Sequence, residues 1–259
     1  MDVDSALEMV RLAQHRPDSA VREDVAEAIE TLVATTARTY SNQSATYAEA
    51  RTGNPWEKDL ELTDTLLAAV RDRISTGKID CAESRWKLLD VGAGYGRDVL
   101  RFSKESDVEP FALENAPGFV SALSALEASG ELSPGSVIAA DMRSMSDIPD
   151  SSFHCVRNHA ALHHLPVVPF DLGADAAMAE ARRVLVPGGV LYVLVKSGDG
   201  VSMIDTNEGL GGRFFQLFTP SLLESLLRRN GFSVDVLEEL LESRQSGDVG
   251  WIFLLGTAV

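Results

Sequence analysis

The sequence predicts an α/β fold: a doubly wound, mainly parallel sheet with antiparallel last strands and an N-terminal helical cap. Three observations predict it. A short apolar run, Trp86 to Val91, leads into glycines at 92, 94 and 96 and then into the helical pattern that opens with Val99-Leu100. Strand-like and helix-like stretches alternate from there to residue 196, the spacing of parallel strands joined by helical crossovers. The last two strand-like runs, 232–238 and 251–258, lie too close for a helical crossover, so a hairpin is expected.

Taken in order, residues 1–55 read as a helical cap and 56–259 as the core. Ala6, Leu7, Met9, Val10 and Ala13 suggest a first helix that stops near Arg16-Pro17. Asp18-Ser19 can cap a second, with Val21, Val25, Ala28, Ile29, Leu32 and Val33 at helical spacing. If one helix runs on, Tyr40, Tyr47 and Arg51 share a face to within about 20°. Ser41-Asn42 can instead cap a new helix and leave Tyr40 in the turn; Gly53-Asn54-Pro55 ends the segment either way. A helix over 56–75 follows. Strands are expected at 86–91, 108–113, 135–140, 152–158 and 189–196, with helices near 97–105, 117–129 and 174–185. Helix 220–229, ended by Asn230-Gly231, precedes the hairpin.

Composition excludes several functions. A chain of 259 residues buries a full core, and 45% hydrophobic with 24% charged residues is ordinary for a globular protein. No apolar run approaches the roughly 18–20 residues that span a bilayer. The start, Met1-Asp2-Val3-Asp4, lacks a signal-peptide pattern, so a cytoplasmic location is expected. Cys81 and Cys155 are too few for a disulfide framework or metal site and read as free thiols; without a helical His pair or acid cluster nearby, no metal is expected. The net charge of −16 opposes nucleic acid, whose binding rests on Lys and Arg at phosphates. Arg182-Arg183 and Arg228-Arg229 are pairs near helix ends, where cations complement the helix dipole.

Strand, glycine turn and helix bring backbone close to a ligand and aim helix N–H groups at its negative charge. A dinucleotide site wants G-x-G-x-x-G; here the third glycine comes one residue early and Arg97 stands in its place, which disfavours a nicotinamide dehydrogenase. The pattern Asp90-x-Gly92-x-Gly94-x-Gly96 instead resembles the first motif of class I S-adenosyl-L-methionine (SAM)-dependent methyltransferases. The resemblance spans roughly 86–259. It continues through Asp141-Met142, through the fourth-strand region from Phe153 to Pro166, and through Arg183-Val184-Leu185-Val186-Pro187-Gly188-Gly189-Val190-Leu191, similar to the family's "RVLxPGGxL" turn into the fifth strand. It implies a seven-stranded sheet with an antiparallel last strand, and SAM as cofactor. Stretch 197–219 is similar to a subgroup of small bacterial-type methyltransferases, whose N-terminal "Y…A..Y…R" element is matched by Tyr40, Ala45, Tyr47 and Arg51.

The resemblance assigns roles residue by residue. Asp90 stands near the methionine end of SAM, or is a turn residue bonded to loop amides. Gly92, Ala93, Gly94 and Gly96 form the close-approach loop. Glu114, followed by Asn115, accepts both ribose hydroxyls; Asp141 accepts from the adenine amino group and Met142 covers the ring. Asn158 and His159 lie where the fourth strand opens onto the methyl-transfer centre, with His159 the candidate base. His154 replaces the family's usual Asp, so that carboxylate's role is absent, and His163 and His164 read as structural. Tyr47 covers the sulfonium and Arg51 turns to the SAM carboxylate, while Tyr40, Arg213, Phe214 and Phe215 shape the acceptor pocket; the rival reading packs the cap aromatics on the core. The expected function is methyl transfer to a small-molecule acceptor, with O-, N- and C-methylation all open. The Asn-Pro-Pro-Tyr type motif is absent. An RNA- or tRNA-modifying methyltransferase is opposed by the acidic charge, and a non-catalytic SAM-binding partner subunit by the intact Asp90, Glu114 and Asp141.

Overall fold

Alternating side chains fix the two faces of the sheet. In β5 (Leu185–Lys196), Leu191, Val193 and Val195 enter one buried cluster and Val190, Tyr192 and Leu194 another, the two-residue period of a strand. The computed structural model describes residues 1–44, 56–200, 202–205, 212–244 and 247–259, with only the backbone of 202–205. In chain order the helices are α1 (Val3–His15), α2 (Arg22–Asn42), α3 (Glu57–Ser75), α4 (Arg97–Phe102), α5 (Pro117–Ala128), α6 (Ala174–Val184) and α7 (Pro220–Arg229). The other strands are β1 (Trp86–Val91), β2 (Val108–Glu114), β3 (Val137–Ala139), β4 (Phe153–His159), β6 (Ser202–Asp205), β7 (Arg213–Gln216), β8 (Phe232–Glu242) and β9 (Val249–Ala258).

Seven strands form one sheet in the order β3-β2-β1-β4-β5-β9-β8. The first five are parallel; β9 runs antiparallel between β5 and β8, closing the expected hairpin. β6 and β7 make a separate antiparallel ribbon within a stretch that shows no strand signal in the sequence. On one face α6 and α7 bury Met178, Ala181, Leu223 and Leu227 against Leu89, Val156, Leu191 and Leu254. On the other, α3 lays Leu62, Leu66 and Val70 over Leu88, Cys155, Tyr192 and Phe253. No described helix is long and apolar enough to cross a membrane.

Two local expectations are corrected. Asp18-Ser19 do not cap the second helix: Pro17–Ser19 form a 3-10 turn, and α2 starts after Val21 with no side-chain cap. Pro187-Gly188-Gly189 do not reverse the chain ahead of the fifth strand. They form a bulge inside it, where register passes from Phe153↔Leu185 to Cys155↔Val190. Gly188 takes φ +76°, and a Cβ there would stand 2.5 Å from the Lys78 carbonyl oxygen.

The cap docks on the core through its apolar face. Ala6, Val10, Val25, Ile29 and Leu32 are buried in one cluster with Val168 and Phe214. Burying a side chain such as Ile29 or Leu32 contributes about 1.5–3 kcal/mol. Polar contacts set the register. Gln14 donates to Gln216 Oε1 at 2.6 Å, the Phe214 N–H to Thr36 Oγ at 3.0 Å, and the Gly118 N–H to Ser41 Oγ at 3.2 Å.

Candidate active site

The C-terminal ends of parallel strands are where an open α/β sheet presents its ligand groove. Here they open onto a cleft walled by the glycine loop, the end of α2, the start of α3, β7 and β9. The loop takes φ +73°, +59° and +91° at Gly92, Gly94 and Gly96. Gly92 and Ala93 donate their N–H groups to the Leu113 carbonyl, at 2.8 and 3.1 Å, and so tie the loop to β2. A Cβ on Gly94 would meet nothing within 4 Å, leaving a cradle open at the cleft.

Glu114 braces that cradle from β2. Its Oε2 accepts from the Gly94 N–H and its Oε1 from the N–H groups of Asn115 and Ala116, each at 2.9 Å. Burial pushes the carboxyl above its ordinary range, while these bonds favour the anion and limit the rise. A carboxylate has about four acceptor sites, so about one is left to face a ligand.

Asp141 accepts from the Arg143 N–H at 2.8 Å and pairs with its guanidinium at 2.7 Å. Arg143 continues to Glu30 of α2 at 2.8 Å, so the cap reaches the adenine side of the predicted site. Asn158 is buried; its Oδ1 accepts from the Leu162 N–H at 2.7 Å and its amide meets Met142 Sδ at 3.6 Å.

Beneath the loop runs a buried ionic chain. Arg157, 1% exposed, donates to Asp90 Oδ1 and Asp98 Oδ2, both at 2.8 Å. Its guanidinium lies over the rings of Phe102 and Tyr192 at 5.5 and 5.2 Å. Arg97 pairs with Asp98 at 2.8 Å and stands 3.8 Å from Asp59 of α3. Burial raises Asp90 to about 6 against the pull of Arg157. For Asp98, burial is outweighed by Arg157, by the Arg97 bond and by His159, so its carboxyl lies below the ordinary range. His159 closes the chain, with Nδ1 2.9 Å from the Tyr192 hydroxyl and Nε2 3.6 Å from Asp59 Oδ1.

At the far end, the Tyr40 hydroxyl meets His164 Nε2 at 2.9 Å and accepts from Arg213 at 3.1 Å. The Arg213 guanidinium lies over the rings of Tyr40 and Phe215. His164 Nδ1 donates to the Phe214 carbonyl at 2.7 Å, and burial pushes this imidazole down to about 3. His163, also lowered by burial, accepts the Lys196 N–H at 3.2 Å. Both histidines bond backbone, as structural residues do, and both also line the cleft.

Of the predicted residues, Tyr40, Gly92, Ala93, Gly94, Glu114, Asn115, Asp141, Met142, His159, Arg213 and Phe215 come together along the cleft. Four lie behind it. Asp90 is turned under the loop onto Arg157 rather than onto loop amides. Gly96 packs on α5, where a Cβ would meet Leu126 and Leu123. Asn158 holds the turn at Leu162. Phe214 points away from its neighbour Phe215, as strand alternation requires, and sits against α2. Tyr47 and Arg51, with Ala45, lie outside the described residues. The sequence reading missed Trp56, Asp59, Arg97, Asp98, Lys196 and Trp251, which line the same cleft. Arg97-Asp98, directly after the glycines, carried a positional signal; Asp59, one acid among several on α3, carried none.

The sheet order, with parallel strands closed by an antiparallel hairpin, is that of the class I SAM-dependent methyltransferase fold. Residues 89–193 match the family described as methyltransferase domain (Methyltransf_11). The fold of the chain is similar to the 1,6-didemethyltoxoflavin-N1-methyltransferase of Burkholderia thailandensis, which was solved with 1,6-didemethyltoxoflavin and S-adenosylhomocysteine. The TM-score is 0.64 at 17% identity, over 89% of this chain and 90% of that one. A Galdieria sulphuraria chain assigned to sarcosine and dimethylglycine methylation gives 0.59 at 16% identity, over 84% and 98%. A Haloferax volcanii complex with the methyltransferase activator Trm112 gives 0.56 at 15%, over 85% and 97%. No curated protein sequence matches the chain.

Proposed function

We propose that this enzyme transfers the SAM methyl group to a small molecule held in the cleft between the end of α2, β7 and the strand ends. The observation that carries this reading is the composition of the wall. Beyond the cofactor loop the cleft is closed by Trp56, Tyr40, Phe215 and Trp251, with Asp59, His159 and Arg213 among them. An aromatic cleft with a few inward polar groups suits a small organic ligand. A polynucleotide would need an extended basic surface, which a net charge of −16 disfavours. The similar Burkholderia protein, solved with 1,6-didemethyltoxoflavin and S-adenosylhomocysteine bound, supports the same reading.

The residues present fit SAM. The open Gly94 cradle admits a ligand at the loop, the remaining Glu114 acceptor site suits a ribose hydroxyl, and Asp141 with Met142 suits the adenine. When bound, SAM supplies an electrophilic methyl on sulfur. Arg157 and Asp90 brace the loop from below, and Tyr40 with Arg213 closes the acceptor side. Holding the acceptor in line with the methyl is the larger part of catalysis for such a displacement. Calorimetry with SAM, S-adenosylhomocysteine and NAD, followed by labelled-SAM screens of small acceptors and RNA, tests the reading. SAM binding with label on small molecules is expected. NAD binding alone, or label only on RNA in a salt-sensitive way, overturns it.

A further inference from the structure

Asp90, the acid the resemblance sets at the methionine end of SAM, is turned away from it. It is 2% exposed, its Oδ1 accepts from Arg157 at 2.8 Å, and it stands under the glycine loop rather than along the cleft. The acids that do line the cleft are Asp59, Asp98, Glu114, Asp141 and Glu242. Four of them already accept hydrogen bonds. Asp98 holds Arg97 and Arg157, Glu114 the loop amides, Asp141 the Arg143 side chain, and Glu242 the Trp251 indole N–H and Arg244. Asp59, in the first turn of α3, differs. Its side chain is 16% exposed, with Oδ2 3.8 Å from Arg97 and Oδ1 3.6 Å from His159 Nε2, both beyond hydrogen-bond length. Among the described residues its carboxylate accepts no hydrogen bond, where so enclosed a group ordinarily would.

We infer that Asp59 and Arg97 hold the amino-acid end of SAM, Asp59 accepting from its ammonium and Arg97 donating to its carboxylate. This deepens the methyltransferase reading and rests on it. An α-amino acid carries its two charges on one carbon, so an acid and a guanidinium 3.8 Å apart, both lining the cleft, match them in opposite order. Arg97 directly follows the last loop glycine, which sets the pair beside the Gly94 cradle. Its Nε and Nη2 donate to Asp98 at 2.8 and 2.9 Å, which orients the guanidinium and leaves Nη1 for a ligand. Asp98 is in turn fixed by Arg157, so the clamp is held from β4. A carboxylate has about four acceptor sites, so Asp59 has room for an ammonium whichever charge His159 carries. Burial raises the Asp59 carboxyl to about 6 against the pull of Arg97, and a bound ammonium would favour the anion and reverse that rise.

The test is titration calorimetry on the full chain with four ligands: S-adenosylhomocysteine, its desamino analogue, its decarboxylated analogue, and 5′-methylthioadenosine, which lacks the amino-acid end. Asp59→Ala should bind S-adenosylhomocysteine ~10- to 150-fold more weakly than the wild type, yet bind the desamino analogue within about threefold of it. Arg97→Ala should show the same pattern with the decarboxylated analogue. Methylthioadenosine should bind all three proteins alike, which also verifies their fold. In the wild type, the ¹³C-labelled Asp59 carboxyl should titrate below 6 with S-adenosylhomocysteine and stay near 6 with the desamino analogue. Equal losses for the full and truncated ligands in either variant overturn the proposal. So does an Asp59 carboxyl that titrates alike with both ligands, or an Asp90→Asn protein whose loss is confined to ligands that carry the ammonium. Wild-type protein that binds neither SAM nor S-adenosylhomocysteine refutes the methyltransferase reading instead, so the two failures are distinct.

Discussion

Glu114→Gln isolates the cofactor contribution of one carboxylate. In the wild type three backbone N–H groups occupy three of about four acceptor sites. The fourth belongs to Oε2, the oxygen that also holds Gly94, so Glu114 can take one ribose hydroxyl rather than the two a free carboxylate would grasp. The amide keeps the bonds from Asn115 and Ala116 if its oxygen stays on their side. Its NH₂ then confronts the Gly94 N–H, donor against donor, and also loses the ribose. A hydrogen bond to a charged group is worth about 1.5–3 kcal/mol, so SAM and S-adenosylhomocysteine should bind roughly 10- to 150-fold more weakly. The assay is titration calorimetry with S-adenosylhomocysteine and its 2′-deoxy and 3′-deoxy analogues against both proteins, with circular dichroism to verify the fold. One of the two deoxy analogues should lose affinity for the wild type and lose little more for the variant. Equal losses in both proteins for both analogues would refute contact between Glu114 and the ribose, and coupling to both hydroxyls would refute the count of acceptor sites.

Gly94→Val should abolish measurable SAM binding by calorimetry with the circular dichroism spectrum kept, because the added side chain enters the open cradle rather than protein. Arg157→Met leaves Asp90 and Asp98 without their shared cation and should cost about 3–5 kcal/mol in urea unfolding at pH 8. Asp90 ionises near 6 folded against an ordinary 3.8, so the folded chain holds the extra proton and this residue's contribution to stability declines as pH rises from about 4 to about 6. Losing Arg157 raises that carboxyl further, so the variant's deficit should be smaller at pH 5 than at pH 8; a deficit independent of pH would refute the pairing. Hydrogen exchange with S-adenosylhomocysteine should show new protection at 38–44 as well as 88–98, since Tyr40 and Ser41 join α2 to the cleft and to α5. Protection confined to the glycine loop would reduce the cap to a packing appendage.

What the sequence made legible is what short-range pattern controls. β1 at 86–91 and α7 at 220–229 fall where apolar period and flanking glycine or proline place them. The glycine loop is legible because positive φ at three alternate positions leaves few other residues possible. Arg157 was not legible. Within a buried strand it reads as an interruption, and its meaning lies in Asp90 and Asp98, 67 and 59 residues away. The β6–β7 ribbon was hidden for a related reason: each strand has four residues, too few for a two-residue period to stand out. The bulge at Pro187-Gly188-Gly189 has the composition of a chain reversal, and only the pairing with β4 shows that the strand continues through it.

The cap illustrates why helical periodicity can place a helix and still leave its function open. Its apolar side says that α2 packs on something; the chemistry sits on the flanks of that side. One flank carries Glu30, which reaches Asp141 through Arg143 at the end of the cleft proposed for adenine. Further along stand Tyr40, bonded to His164 and Arg213 at the end proposed for the acceptor, and Ser41, which meets the N–H of Gly118 at the start of α5. Gly118 is glycine because a Cβ there would stand 2.6 Å from the Ser41 carbonyl oxygen, so α5 admits α2 at close range. A single helix thus touches both ends of the cleft, about ten residues or three turns apart. Tilting it enough to release Tyr40 strains the Glu30–Arg143 bond as well. Coupling between the two ends of the cleft through α2 is therefore expected, and Glu30→Ala, remote from the end proposed for the acceptor, should weaken acceptor binding as well as SAM. A loss confined to SAM in paired titrations would show that the two ends act independently.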